Sequence, residues 1–116
     1  MNSFRTAGNF LRALLPGTVQ VQGASMEPTL SDGDWLLVRW ASGKVWRLNS
    51  IVVIERETQP GIFLIKRITK IEDKKYWLNS DNPAGTDSRK WGWISAEEIR
   101  GKVLFRYYRK QRKISA

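Results

Sequence analysis

A chain of 116 residues with no His and no Cys cannot build a Ser-His-Asp triad, a Cys-His pair, a His- or Cys-ligated zinc site or a disulfide. Its length suits one domain with one core, and 41% hydrophobic residues with six Trp exclude a disordered chain. The net charge of +9 fits nucleic acid, an anionic membrane surface, an acidic partner or simple solubility, and does not choose among them.

Residues 2–14 read as a short amphipathic helix, with Phe4, Leu11, Leu14 and Leu15 on one face. Gly8 weakens it and Pro16-Gly17 ends it. The run over residues 10–16 is interrupted by Arg12 and is too short for the apolar region of a secretory signal. No stretch approaches the roughly 20 apolar residues that cross a membrane. The expected location is therefore the cytoplasm, with peripheral contact at a membrane surface as the alternative.

Strands are predicted at residues 19–21, 35–40, 51–54, 62–71, 76–78 and 101–108. Turns at Ser31-Asp32-Gly33-Asp34, Gln59-Pro60-Gly61 and Glu72-Asp73-Lys74-Lys75 separate them. The nearly continuous apolar run 35–40, broken only by Arg39, predicts a central strand. Ser95-Ala96-Glu97-Glu98 reads as a capped turn of helix. Strand, turn and strand at close spacing predict a mainly β domain built from hairpins. One domain is expected over 1–116, comprising an N-terminal helix at 1–16, a β core at 17–108 and a basic tail at 109–116.

The chemistry centres on Gly23-Ala24-Ser25-Met26-Glu27-Pro28-Thr29-Leu30. Ser25 lies between an apolar strand and a Pro-containing turn, where a rigid scaffold can present a hydroxyl at a surface. A serine nucleophile needs a partner to take its proton, and without His the most plausible partner is a lysine. In the strand over residues 62–71, alternation puts Ile62, Leu64, Lys66 and Ile68 on one face. A lysine in an apolar row is either neutralised by burial or snorkels to solvent, and this stretch alone does not decide between the two. The turn-rich segment 78–93 reads on composition as a structural loop stiffened by its Asp and Arg residues.

Taken in order, the Gly-Ala-Ser-Met-Glu-Pro-Thr-Leu run, Gly33-Asp34-Trp35-Leu36-Leu37-Val38, Ile65-Lys66-Arg67, Asp81-Asn82, Asp87-Ser88-Arg89 and Trp91-Gly92 resemble type I signal peptidases over about residues 19–108. The resemblance implies curled antiparallel sheets and a serine endopeptidase without cofactor or metal. It implies Ser25 as nucleophile and Lys66 as general base. It also implies an Arg67 pair with Asp87 behind the dyad, and Arg89 bracing the Asp81-Asn82 turn. Where many relatives carry a second Ser, this chain has Gly23, so the oxyanion would rest chiefly on the Ser25 backbone N–H. The segment between Asn82 and Asp87 is one residue short, and Thr86 is the expected stand-in for the serine that orients the lysine. Met26 and Ile65 are the expected substrate-pocket residues.

The family's usual membrane anchor and large second domain are not apparent in the sequence. That compactness resembles small relatives that mature nickel-type superoxide dismutase by removing an N-terminal extension, and a precursor polypeptide is the expected partner. A general signal peptidase is the alternative. Self-cleaving repressor proteases share the Gly-x-Ser-Met start, but Pro28-Thr29-Leu30 and the Asp-Ser-Arg stretch fit them poorly, and no DNA-binding segment is seen before Ser25. A reading of another class is a basic β-barrel binding nucleic acid through Trp35, Trp40, Trp46 and the tail.

Overall fold

The computed structural model describes residues 17–41 and 43–109. The helix expected over residues 2–14 and the tail beyond residue 109 lie outside the described residues. The strands are β1 (Gly17–Gln20), β2 (Trp35–Trp40), β3 (Ile51–Glu55), β4 (Phe63–Glu72), β5 (Lys75–Asn79), β6 (Ile94–Ser95) and β7 (Ile99–Tyr108). A short helix α1 (Ser88–Trp91) and a single 3-10 turn (Ala96–Glu98) complete the described elements. The fold is mainly β, as expected.

The strands form one seven-stranded sheet, in the order β1-β2-β7-β3-β4-β5-β6, rather than several. β7 unites it, because its ten residues pair antiparallel with β2 along most of their length and with β3 over Ile99–Lys102. The expected central strand, β2, therefore stands second from one edge, and β3 occupies the middle. Burial explains the distinction. Val52, Val53 and Ile54 are all buried, because β3 is covered on both faces. Val52 and Ile54 join Trp46, Ile68, Tyr76, Leu78, Ile94 and Ile99 in one cluster. Val53 points the other way, into Val21, Met26, Leu30, Leu36 and Val38. Each such side chain removed from water is worth about 1.5–3 kcal/mol. A strand contributing to both clusters is thus the hinge of the core.

Trp46 belongs to that core at 6% exposure, and its backbone N–H donates to the Tyr76 hydroxyl at 3.0 Å. Its indole is therefore not a surface platform for a base, which removes one of the three tryptophans expected to contact nucleic acid. Trp40 is half-buried with its ring edge-on to Phe63.

The β4–β5 hairpin turns at Asp73 and Lys74, whose φ values of 49° and 61° give the left-handed pair that matches strand twist. Near the turn, Ile71 faces Tyr76 and Lys70 faces Trp77; past Thr69 the register slips, so that Ile68 faces Leu78 and Arg67 faces Asn79. That single-residue bulge decides which residue of the following loop meets Lys66.

Candidate active site

The Ser25 turn is clamped at its base, where Val21 N–H donates to the Asp34 carbonyl and Gly33 N–H to the Val21 carbonyl, each at 2.8 Å. Between those bonds the chain reverses through Gly23, whose φ of 86° lies in the left-handed region that favours glycine. Gly23 N–H is engaged by Asp32 Oδ1 at 2.8 Å. The turn continues with Glu27 N–H on the Ala24 carbonyl, Leu30 N–H on the Met26 carbonyl and a cis Glu27-Pro28 bond. Met26 and Leu30 anchor it from within, at 1% and 5% exposure.

Beneath the turn, Asp34 is fully buried and accepts from Ser31 N–H at 2.9 Å and from Arg106 Nη1 at 3.2 Å. Arg106 also donates to the Thr29 carbonyl at 3.1 Å, tying β7 to the turn. Ser25 itself is half-buried on this braced scaffold.

Lys66 is 3% exposed, on the face of β4 that also carries Leu64 and Ile68. The sequence alternation is thus reproduced, and the lysine is buried rather than snorkelling. Burial pushes its ammonium below the ordinary value of 10.5, against the opposing pull of the Asp87 carboxylate. Its Nζ donates to the Ser80 hydroxyl at 3.0 Å, and the ring of Trp91 lies 6.0 Å away. Ser80 reaches Lys66 because the slipped register, continued one step beyond Arg67 and Asn79, sets these two residues opposite each other on one face.

The loop after β5 is held by two carboxylates, and the arginines pair differently from expectation. Arg67 binds Asp81, not Asp87, with Nε on Oδ1 and Nη2 on Oδ2, both at 2.9 Å. The reason is parity: Arg67 lies on the opposite face of β4 from Lys66, beside Asn79, and Asp81 follows two residues later. Asp81 also accepts the Thr29 hydroxyl, so this pair clasps the Ser25 turn to β4. The Arg67 hydrogen bond holds the Asp81 carboxyl below its usual range.

Arg89 pairs with Asp87 rather than bracing Asp81-Asn82. Its Nε donates to Asp87 Oδ1 at 2.9 Å, and its Nη2 reaches the carbonyls of Pro83 and Gly85 at 2.8 and 2.9 Å. Asp87 caps α1 through Arg89 N–H and accepts Ser80 N–H at 2.8 Å and Asn79 Nδ2 at 3.1 Å. Burial raises its carboxyl pKa, but these donors together outweigh burial and hold it well below the carboxylate range. The Asp81-Asn82 turn is instead fastened to Ser25 directly. Asn82 N–H donates to the Ser25 carbonyl and Asn82 Nδ2 to the Ala24 carbonyl, each at 2.9 Å.

Thr86 does not take the lysine-orienting position. Its side chain is exposed, and it is its carbonyl that accepts the Ser80 hydroxyl at 3.4 Å. Ser80 had no place among the expected site residues, although it continues the buried alternation Tyr76, Leu78, Ser80. Gly85 was also missed. An added Cβ there would fall 2.4 Å from Ser80 Oγ and 3.2 Å from Ser25 Cβ, so Ser25 and Ser80 both border this glycine, and Lys66 is linked to them through Ser80. Of the expected pocket residues, Met26 is a core side chain whose sulfur accepts Asp81 N–H at 3.4 Å, and Ile65 packs against the same cluster. Among the described residues no group of three or more carboxylates could hold a metal ion, and no helix is long and apolar enough to cross a membrane.

Residues 16–104 match the peptidase S24-like family. The chain belongs to that family. Membership brings a serine-peptidase type of function to a site with a turn-borne serine and a buried lysine, and it covers both stretches that carry them. This match does not extend to the likeness to signal peptidases in the sequence motifs. A search of curated proteins returns no significant match.

Proposed function

We propose that this S24-like peptidase is an endopeptidase with a Ser25/Lys66 dyad that removes an N-terminal extension from a precursor polypeptide. The observation that carries the reading is Lys66, a buried amine with a lowered pKa, hydrogen-bonded to Ser80 on the loop that packs against Ser25.

In the neutral form, Lys66 keeps a lone pair for Ser25 while one of its N–H bonds is directed at Ser80. The lone pair takes the Ser25 proton, and Oγ forms a bond to the scissile carbonyl carbon. The oxyanion is held by the Ser25 backbone N–H; Gly23 supports it through the shape of the turn, since its own N–H is committed to Asp32. Collapse of the intermediate breaks the C–N bond, and the Lys66 ammonium returns its proton to the leaving amine. Lys66 then activates the water that hydrolyses the acyl-enzyme.

The substrate would lie extended along β4. Over Phe63–Lys66 that strand pairs with β3 on one side, whereas its ladder with β5 begins only at Arg67. Ile65 would contact the substrate there, with Met26 beneath, and small residues would be preferred before the cut. The nickel superoxide dismutase precursor is the substrate we favour. Signal peptides at a membrane surface are the second reading, supported by the exposed aromatics Phe105, Tyr107 and Tyr108 on a chain of charge +9.

The test is mass analysis of both classes of precursor after incubation with the protein. Cleavage that vanishes in Ser25→Ala and in Lys66→Ala supports the dyad, and cleavage undiminished in either folded variant sinks it.

A further inference from the structure

Gly85 differs from the other glycines near the site. Gly23 and Gly92 have positive φ values and open space where a side chain would be, so backbone conformation accounts for them. Gly85 lies outside the left-handed region, and yet its position has no room for a side chain. A Cβ there would stand 2.4 Å from Ser80 Oγ, 2.7 Å from Ser80 Cβ and 3.2 Å from Ser25 Cβ. The first two distances are far inside van der Waals contact, so the space a residue 85 side chain would fill is the space that Ser80 fills.

The surrounding loop has little freedom to yield. Gly85 N–H donates to the Asn82 carbonyl, Arg89 Nη2 holds the Gly85 and Pro83 carbonyls, and Asn82 is bonded to Ser25 and Ala24. Ser80 is fixed from the other side by its N–H on Asp87 and its hydroxyl between Lys66 and the Thr86 carbonyl.

We infer that positions 80 and 85 share one side-chain slot between Lys66 and Ser25, which only one of them can occupy. The slot must hold a hydroxyl to position Lys66, and either residue can supply it. Gly85 is thus a positioning residue, acting through the Ser80 hydroxyl it admits. The catalytic half of this inference rests on the Ser25/Lys66 reading, whereas the steric half stands without it.

The test is a set of four variants assayed by thermal unfolding and by precursor cleavage over a pH series. Gly85→Ala is expected to lower Tm and to cut cleavage about 100-fold, the scale of an ångström's misplacement of a catalytic group. Ser80→Gly combined with Gly85→Ala should recover most of the lost Tm, because both clashes with Ser80 are gone and only the 3.2 Å approach to Ser25 Cβ remains, but not the rate. Ser80→Gly combined with Gly85→Ser should recover both, with cleavage within about tenfold of the native chain and a pH midpoint close to it. Ser80→Gly alone should lose rate without the Tm penalty of Gly85→Ala.

Additive Tm losses in the double variants would overturn the shared slot. A Ser80→Gly, Gly85→Ser protein no faster than its alanine counterpart would overturn the role of the hydroxyl. If Gly85→Ala alone does not fold, folding of its combination with Ser80→Gly supports the slot and failure of that combination overturns it. Should cleavage prove independent of Ser25 and Lys66, the Tm cycle still decides the steric claim.

Discussion

Lys66 on β4 and Ser80, fourteen residues later and just past the end of β5, meet at 3.0 Å in a buried hydrogen bond. The serine completes a chain from the amine to the Thr86 carbonyl. A neutral amine so restrained has its remaining lone pair aimed in a fixed direction, which a freely rotating lysine would not. Ser80→Ala should therefore reduce kcat by up to about 100-fold while leaving KM within a fewfold, as measured by steady-state cleavage of a precursor peptide. An unchanged kcat would show that packing alone orients the lysine.

Burial of Lys66 should also be visible as a pH effect on stability. Its folded pKa lies below the ordinary 10.5, so the unfolded chain binds more protons in the interval between the two values. Stability then rises with pH through that interval, and the cost of burying the lysine is fully present below it. Lys66→Met should raise Tm at neutral pH, with the gain shrinking as pH approaches 10.5. Cleavage by the native chain should rise with pH about the lower, folded value, where the native amine loses its proton. A Tm difference independent of pH would mean that Lys66 titrates as an exposed lysine does.

The sequence carried the dyad candidates because two simple rules converge on them. Absence of His left lysine as the base, and strand alternation put Lys66 among Leu64 and Ile68. What lay beyond those rules depended on register. Had the hairpin run without the slip at Thr69, Asp81 rather than Ser80 would stand opposite Lys66, and no propensity marks Thr69 as the bulge. The Arg67 partner follows from parity across that same slip, whereas Arg89 meets Asp87 locally, at the cap of α1. Gly85 was illegible for a different reason: its role is a close approach between segments brought together only by folding. β6, with two residues, has no periodicity to read, whereas the unalternating Ile51-Val52-Val53-Ile54 run did announce a strand buried on both faces.

The clasp between Arg67, Asp81 and Thr29 joins β4, the loop and the Ser25 turn. Asp81→Asn removes a charge-assisted bidentate pair of partly exposed groups and should cost about 1.5 kcal/mol, with Thr29→Val costing about 1 kcal/mol, by denaturant unfolding. The Asp81 carboxyl is held below 3.8, so its contribution is complete above that value and is lost as pH falls through the lower, folded pKa. Native and Asp81→Asn proteins should thus converge in stability in acid. A gap that persists there would place the effect in packing rather than charge.

Asp87 offers the sharpest separation of stability from catalysis. It is 1% exposed and accepts from Ser80, Asn79 and Arg89, so Asp87→Ala leaves buried donors without partners and uncaps α1. The expected loss is about 3 kcal/mol. The milder Asp87→Asn keeps the shape and removes the charge. Because that charge raises the Lys66 pKa against the larger effect of burial, its removal should drop the pKa further. The pH midpoint of cleavage should then move to lower pH, even as Ser80 is held less firmly and kcat falls. Both limbs can be read from one pH–rate profile of the purified variant. A midpoint displaced to higher pH would contradict the assignment of Lys66 as the titrating base, since a group that loses a neighbouring negative charge cannot become harder to deprotonate by electrostatics alone.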